Sequence, residues 1–449
     1  MPRRGRLRPG ERAAGPGLPP ARVFCGRALF RGRLQPVEIA VDDEGRIGRI
    51  ARSIRGGRRI DVGDRLILPA ATDIHVHFRE PGGPDPPERF RTGTEAAIAG
   101  GVTAVADMPN TDPPIISRER LEEKAARASG ELFTDLVVIG AATTADRVRE
   151  LAKVAGAFKL FLSPTTGEIQ PPEPGERELL LRAVADSGLA LSVHAEDPRR
   201  FTPVQPLTGL VDWDAHRPVD SERSAVEGLE QAPPALRLHI AHVTSAEVAD
   251  RLRATGHSHE VTPHHLLLSS ASHAGTLGKV NPPLRSEAQR RELWERYAAG
   301  RIPIVASDHA PHSRDQKDRP FAVAPSGMPG VETLVPILLE RVRTGDLPLD
   351  VLQRTACDRP ARWLGLPHGR IAPGSPAHFL VVDFRERREI RADRLKTACG
   401  WSAFEGWNAI FPVAHYRAGE LIVDEGETVG LPHGRVVRPD YATARTAEG

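Results

Sequence analysis

A chain of 449 residues, 40% hydrophobic and 27% charged, carries enough apolar material for one large and one smaller domain at about 100–200 residues each. Its 61 Lys and Arg nearly cancel 59 Asp and Glu, and a net charge of +2 gives no footing for binding nucleic acid or an acidic membrane surface through bulk charge. Three widely spaced cysteines, Cys25, Cys357 and Cys399, argue against a disulfide framework or a thiolate zinc knot and fit a reducing cytoplasm, while no apolar run reaches the roughly 18 residues of a membrane span.

In chain order, residues 1–21 place Arg3, Arg4, Arg6, Arg8 and Arg12 among Gly and Pro without an apolar segment, the composition of a disordered tail rather than a secretory signal. From 22 to 68, short apolar pieces such as Val37-Glu38-Ile39-Ala40-Val41 and Ile47-Gly48-Arg49-Ile50 alternate with Gly, Asp and Arg, the rhythm of antiparallel strands. The same texture returns within 365–437, at 379–383 and 418–423, so both ends of the chain are expected to build one small β-sandwich domain. Residues 438–449 read as a second tail.

Between these ends, residues 69–364 alternate buried-strand runs with Ala/Glu/Arg-rich helical stretches, for example 103–108 before a helix at 118–128. Further strands are expected at 136–140, 157–162, 189–193, 238–243, 259–262 and 303–306. With the segment ending at His77 they number eight, the count of a TIM-like (β/α)8 barrel.

In such a barrel the chemistry sits where strands finish. His75 and His77 close the first strand; two residues apart on an extended chain, they face the same side and can reach one ion. An HxH pair alone also occurs on ordinary surfaces, but His194, His242 and Asp308 end later strands in the same way. Lys159 lies in the apolar strand Phe158-Lys159-Leu160-Phe161. A strand lysine usually snorkels to solvent; one on a central barrel strand must hide its charge by a lowered pKa, an ion pair or a covalent change.

Several stretches are together similar to the dihydroorotases of the amidohydrolase superfamily, across 23–437. They are Asp73-Ile74-His75-Val76-His77-Phe78-Arg79-Glu80-Pro81-Gly82, Met108-Pro109-Asn110-Thr111, His194-Ala195-Glu196, Ala241-His242-Val243, Asn281-Pro282-Pro283-Leu284-Arg285 and Ala306-Ser307-Asp308-His309-Ala310-Pro311-His312. The resemblance implies two zinc ions, with His75 and His77 on the more buried ion and His194 and His242 on the other. It further implies that a carboxylated Lys159 and a hydroxide bridge the pair, with Asp308 beside the hydroxide. The implied reaction is reversible cyclisation of N-carbamoyl-L-aspartate to L-dihydroorotate in pyrimidine biosynthesis, with Asp308 as general base and then general acid. Arg79 and Asn110 match residues that hold the substrate carboxylate, with His312 assisting and Asn281 near the ring.

The segment 162–168 resembles a mobile loop in which Thr165 hydrogen-bonds substrate; an ordinary Ser/Pro/Thr/Gly turn explains the same residues. His264 and His265 are expected to be structural. One departure stands out: Gly374-Ser375-Pro376-Ala377-His378 carries histidine where the resemblance leads one to expect aspartate, which bears on packing of the small domain. A homo-oligomer and contact with aspartate carbamoyltransferase are further expectations, without nucleic-acid or membrane partners. Two other readings share parts of the pattern: an allantoinase or dihydropyrimidinase type of cyclic-amide hydrolase, and an inactive homologue scaffolding that transferase. Arg79 with Asn110 favours a carboxylate-bearing substrate over the first, and the full set of candidate ligands speaks against the second.

Overall fold

The computed structural model describes residues 21–83, 85–164 and 169–441; the basic start and Thr165 lie outside the described residues. Eight short strands follow one another: β1 (Ala71–Val76), β2 (Val102–Asp107), β3 (Asp135–Ala141), β4 (Ala157–Phe161), β5 (Ala190–His194), β6 (Arg237–Ile240), β7 (Ser258–Val261) and β8 (Ile304–Val305). They pair in chain order, all parallel, and a parallel bridge from Val76 to His309 brings the two edges together.

Each strand sequence explains its burial. Val-Thr-Ala-Val-Ala-Asp in β2 and Asp-Leu-Val-Val-Ile-Gly-Ala in β3 are buried throughout, as parallel strands covered on both faces must be. Helices α1 (Phe90–Ala99) and α2 (Arg118–Ala128) follow the first two strands. The Ser117 hydroxyl caps α2 by accepting the Arg120 N–H at 3.4 Å. Leu121, Lys124 and Ala128 form the buried stripe of α2, a lysine standing where the spacing calls for an apolar side chain.

The two ends of the chain join in one eight-stranded sheet. Arg22–Phe30, Arg33–Val41, Ile47–Ala51 and Arg58–Pro69 come from the first end; Phe379–Val382, Ala414–Arg417, Glu420–Asp424 and Glu427–Thr428 come from the second. Pairing is antiparallel except between Arg22–Phe30 and Arg58–Pro69. The last strand of the first half is the seam. Ile67 packs with Phe24 and Phe379 in the core of this domain, while its neighbours Leu66 and Leu68, on the other face of the pleat, belong to the barrel core.

Two details differ from the sequence expectation or sharpen it. Residues 418–423 read as one strand, yet Ala418 (φ 48°) and Gly419 (φ 75°) form the turn between Ala414–Arg417 and Glu420–Asp424. Two successive positive φ angles suit the right-handed twist of a hairpin, and the alanine gave no sign of it. The departure at His378 has a local use: its Nδ1 accepts the Ala418 N–H at 3.1 Å and ties that turn to the sheet. His378 also lies beside His368 and Asp135. Asp135 already pairs with Arg417 and accepts the Arg435 N–H at 3.1 Å, while His368 Nδ1 in this knot is buried without a partner. Among the described residues no helix is long and apolar enough to cross a membrane.

Replacing Ile67, which is fully buried at the seam, by Ala is expected to cost about 2–5 kcal/mol of stability. Chemical denaturation followed by tryptophan fluorescence checks this, and an unchanged midpoint contradicts the seam as described.

Candidate active site

The carboxyl ends of the barrel strands gather nearly all the residues singled out from the sequence. His75, His77, Lys159, His194, His242 and Asp308 line one cleft together with Arg79, Asn110 and Asn281. His75 and Lys159 are inside strands, while Arg79, His242 and Asp308 lie just beyond strand ends with φ of 59°, 38° and 45°. Left-handed backbone at non-glycine residues costs of order 1–3 kcal/mol each and persists only where surroundings impose it. Here it turns three side chains back over the barrel mouth.

The orientation of each imidazole follows from the partner of its outer nitrogen. Glu260 on β7 lies 2.5 Å from His75 Nδ1 and 3.0 Å from His239 Nε2, so His75 donates from Nδ1 and turns the lone pair of Nε2 into the cleft. His77 likewise donates from Nδ1 to Asn110 Oδ1 at 2.7 Å, which turns its Nε2 lone pair the same way. Both lone pairs meet one oxygen: Asp308 Oδ1 is 3.3 Å from His75 Nε2 and 3.1 Å from His77 Nε2.

Burial, joined by the nearby Lys159, holds His75 near a pKa of about 4, and burial with Arg79 holds His77 well below the usual imidazole range. Both rings are therefore neutral at physiological pH. With these tautomers two imidazole lone pairs and the Asp308 carboxyl converge, and the cationic group beside them is the Lys159 ammonium, 3.5 Å from His75 Nε2.

A second convergence lies beside the first. His194 Nε2 donates to Glu196 at 2.7 Å, leaving its Nδ1 as an acceptor 3.0 Å from His242 Nε2. Glu196 is in turn gripped by both arms of Arg217. Burial alone would raise the Glu196 pKa, but Arg217 and His194 outweigh it and keep the carboxylate ionised. His242 Nδ1 is buried and has no hydrogen-bond partner. The His75 and His242 ring centroids are 5.2 Å apart, which makes one continuous basin of the two convergences.

Lys159 enters this basin from β4. Its Nζ is 3.5 Å from His75 Nε2 and 3.4 Å from Ser192 Oγ, and burial, opposed by Glu260 and Asp308, lowers its pKa to about 8. The donor set of imidazole nitrogens and carboxylate oxygen suits zinc and other divalent transition metals.

Arg79 defines the other side of the cleft. It is buried, its Nε is 3.4 Å from the Pro311 carbonyl, and its Nη1 has no partner. No carboxylate among the described residues forms an ion pair with it. His312 stands beside it with Nε2 3.5 Å from Arg79 Nη2, but that nitrogen donates to the Ser326 carbonyl at 3.0 Å. Burial and Arg79 press the His312 pKa down to about 2, so it adds no charge. Asn281 Oδ1 accepts the Trp213 indole N–H at 3.1 Å. His264 and His265 are buried; His265 donates from Nε2 to the Pro282 carbonyl at 2.9 Å and braces the segment carrying Asn281.

Sequence reasoning missed the residues that aim the imidazoles. Glu260 is a carboxylate on a barrel strand, a signal of the same kind that singled out Lys159, and Glu196 stands two residues after His194. Asp73, just before the HxH pair, accepts the N–H groups of His75 at 3.2 Å and Ser307 at 3.1 Å, joining the first and last strands.

Imidazoles, a carboxyl group and a buried lysine gathered at the carboxyl mouth of a (β/α)8 barrel suit a metal-dependent hydrolase. The Amidohydrolase family matches residues 66–409. Similar chains include the dihydroorotase of Halobacterium salinarum, 38% identical over 93% of this chain and 100% of that one. The dihydroorotase of Methanosarcina acetivorans is 35% identical, covering 93% and 95%. Among solved structures, an L-hydantoinase (dihydropyrimidinase) from Arthrobacter aurescens superposes with a TM-score of 0.86 at 24% identity, over 94% of this chain and 100% of that one. A dihydropyrimidinase from Brevibacillus agri gives 0.83 at 21% identity, over 94% and 99%, a likeness of fold. The chain belongs to the amidohydrolase family and, within it, to the dihydroorotases.

Removing the Glu260 carboxylate leaves the His75 and His239 N–H groups buried without an acceptor. Glu260→Ala is expected to weaken metal affinity about 10–100-fold, measured by competition with a chromogenic chelator. Wild-type affinity in a folded variant would show that Glu260 does not aim His75.

Proposed function

We propose that this chain cyclises N-carbamoyl-L-aspartate to L-dihydroorotate and hydrolyses the ring in reverse, with two zinc ions in the basin formed by His75, His77, Lys159, His194, His242 and Asp308. The observation that carries the metal reading is the meeting of His75 Nε2, His77 Nε2 and Asp308 Oδ1 without a proton. Lys159 as a carbamate would replace a buried cation by an anion between the two ligand pairs, where positive ions are to be held. Zinc, when bound, supplies Lewis acidity toward the ring amide carbonyl and makes water acidic enough to attack at neutral pH.

The chain's own residues do the rest. Asp308, on the short turn after β8, would accept a proton from the attacking water. It returns that proton to the ring nitrogen as the C–N bond breaks, and in the synthetic direction the same carboxylate takes the proton from the ureido nitrogen as the ring closes. Arg79 is a buried guanidinium without a carboxylate partner and offers a planar fork to the substrate's free carboxylate. Asn110 braces His77 through its Oδ1 and lines the same cleft as Arg79 and Asn281. An uncharged cyclic amide, lacking the carboxylate, would leave the Arg79 charge buried and unpaired.

Asp308→Asn is expected to lower kcat by about 10²–10⁴ with most bound metal retained, as read by steady-state assay and metal quantification on the same preparation. Undiminished turnover would remove Asp308 from the proton path. Arg79→Ala should raise KM for dihydroorotate by about tenfold or more, the worth of a charge-assisted hydrogen bond, and unchanged affinity would overturn the carboxylate assignment.

A further inference from the structure

The lysine on the buried stripe of α2 is an unusual charged residue outside the basin. Lys124 and Asp107 are both fully buried, with Nζ 2.8 Å from Asp107 Oδ2. Lys124 also donates to the Met108 carbonyl at 2.9 Å. A buried ion pair is weak as a source of stability, since well-packed apolar residues of similar volume often do as well or better. Its connections are more telling than its energy.

Asp107 ends β2, and its other oxygen, Oδ1, accepts the N–H of Phe78 at 3.0 Å. Phe78 stands between His77 and Arg79. Met108 lies two residues before Asn110, and its N–H donates to the Val76 carbonyl at 2.9 Å. The pair therefore fastens two segments, 76–79 and 107–110, to each other and to α2. Those segments carry His77, Arg79 and Asn110. The Phe78 ring adds a steric anchor: a Cβ on Gly93 of α1 would lie 2.4 Å from Phe78 Cδ1, so ring and helix are in close contact. Arg79, next in the chain, keeps its left-handed φ of 59° against this support.

We propose that the buried Asp107–Lys124 pair is the positioning element of the substrate-carboxylate cradle, holding Arg79 and Asn110 at the separation that a carboxylate requires. This rests on Arg79 and Asn110 being that cradle. The pair touches neither substrate nor metal; it acts through the backbone of residues 78 and 108. Arg79 reaches the cleft from a segment with left-handed backbone, so small shifts at Phe78 are magnified at the guanidinium.

The test uses full-length, metal-loaded protein and four variants, Lys124→Met, Asp107→Asn, the double variant D107N/K124M and Arg79→Ala. The double variant removes both charges together at nearly constant volume, so it does not leave one charge buried alone and decides the matter if a single variant fails to fold. Thermal midpoint and bound metal are recorded beside kcat and KM for dihydroorotate. The expected result is a KM raised about tenfold in D107N/K124M, with kcat and bound metal within about threefold of wild type. A merely structural pair would alter midpoint and yield and leave the KM of the folded fraction unchanged; that outcome overturns the proposal. If Arg79→Ala raises KM and D107N/K124M does not, only the role of the pair fails. Should Arg79→Ala itself leave KM unchanged, the cradle reading fails first.

Discussion

The constraint on which this structure depends is the confrontation of unprotonated acceptors at the barrel mouth. Three of the four imidazoles have one nitrogen committed to a carboxylate or an amide, His75 to Glu260, His77 to Asn110 and His194 to Glu196. Commitment on one side fixes the tautomer and therefore what the other side presents. Burial keeps the rings neutral, so the inward nitrogens of His75 and His77 cannot relieve their approach to Asp308 by taking up protons. The protein has spent folding stability on a negative, electron-rich basin that only a cation completes.

The architecture exists to hold that basin against its own repulsion. Parallel strands deliver His75, Lys159 and His194 from the rigid part of the barrel, and short left-handed turns bring His242, Asp308 and Arg79 back over it. Asp73 and the His77–His309 backbone hydrogen bond of 2.7 Å clamp the first strand to the last. Since the proposed ligands come from both sides of that closure, a loosened seam would separate His75 and His77 from Asp308. The sheet formed by the chain ends supports the opposite side of the seam through Ile67, Leu66 and Leu68.

Much of this was legible in the sequence because its periodicities are short-range. The spacing of two between His75 and His77 places both on one face of a strand, and short runs rich in apolar residues mark β2, β3, β4 and β5. What stayed hidden depends on three-dimensional pairing. Glu260 lies 185 residues from His75, and nothing in its own strand says which imidazole it will face. Lys124 occupies a helical stripe position that propensity assigns to an apolar residue, and its partner Asp107 is known only once α2 is laid against β2. The turn at Ala418 was missed for a different reason: alanine is an uncommon residue at positive φ, and the hairpin around it imposes the angle. The histidine at 378, unexpected beside the resemblance, uses a lone pair to accept the N–H of that same residue.

Two charge deficits of opposite sign therefore face each other across one cleft. At the basin, acceptors converge with only Lys159 as a nearby cation; at Arg79, a buried guanidinium with an unpartnered Nη1 lacks an anion. A ligand that carries a carboxylate at one end and a polarisable amide at the other satisfies both at once, and its orientation follows from which deficit each end fills. Hydantoinase-like barrels share the overall fold with this chain, so the fold alone does not choose the substrate. Under the proposed function the choice lies in the desolvated arginine. Leaving it unpaired under a neutral ring costs more than a lost contact, because the charge has already been taken out of water.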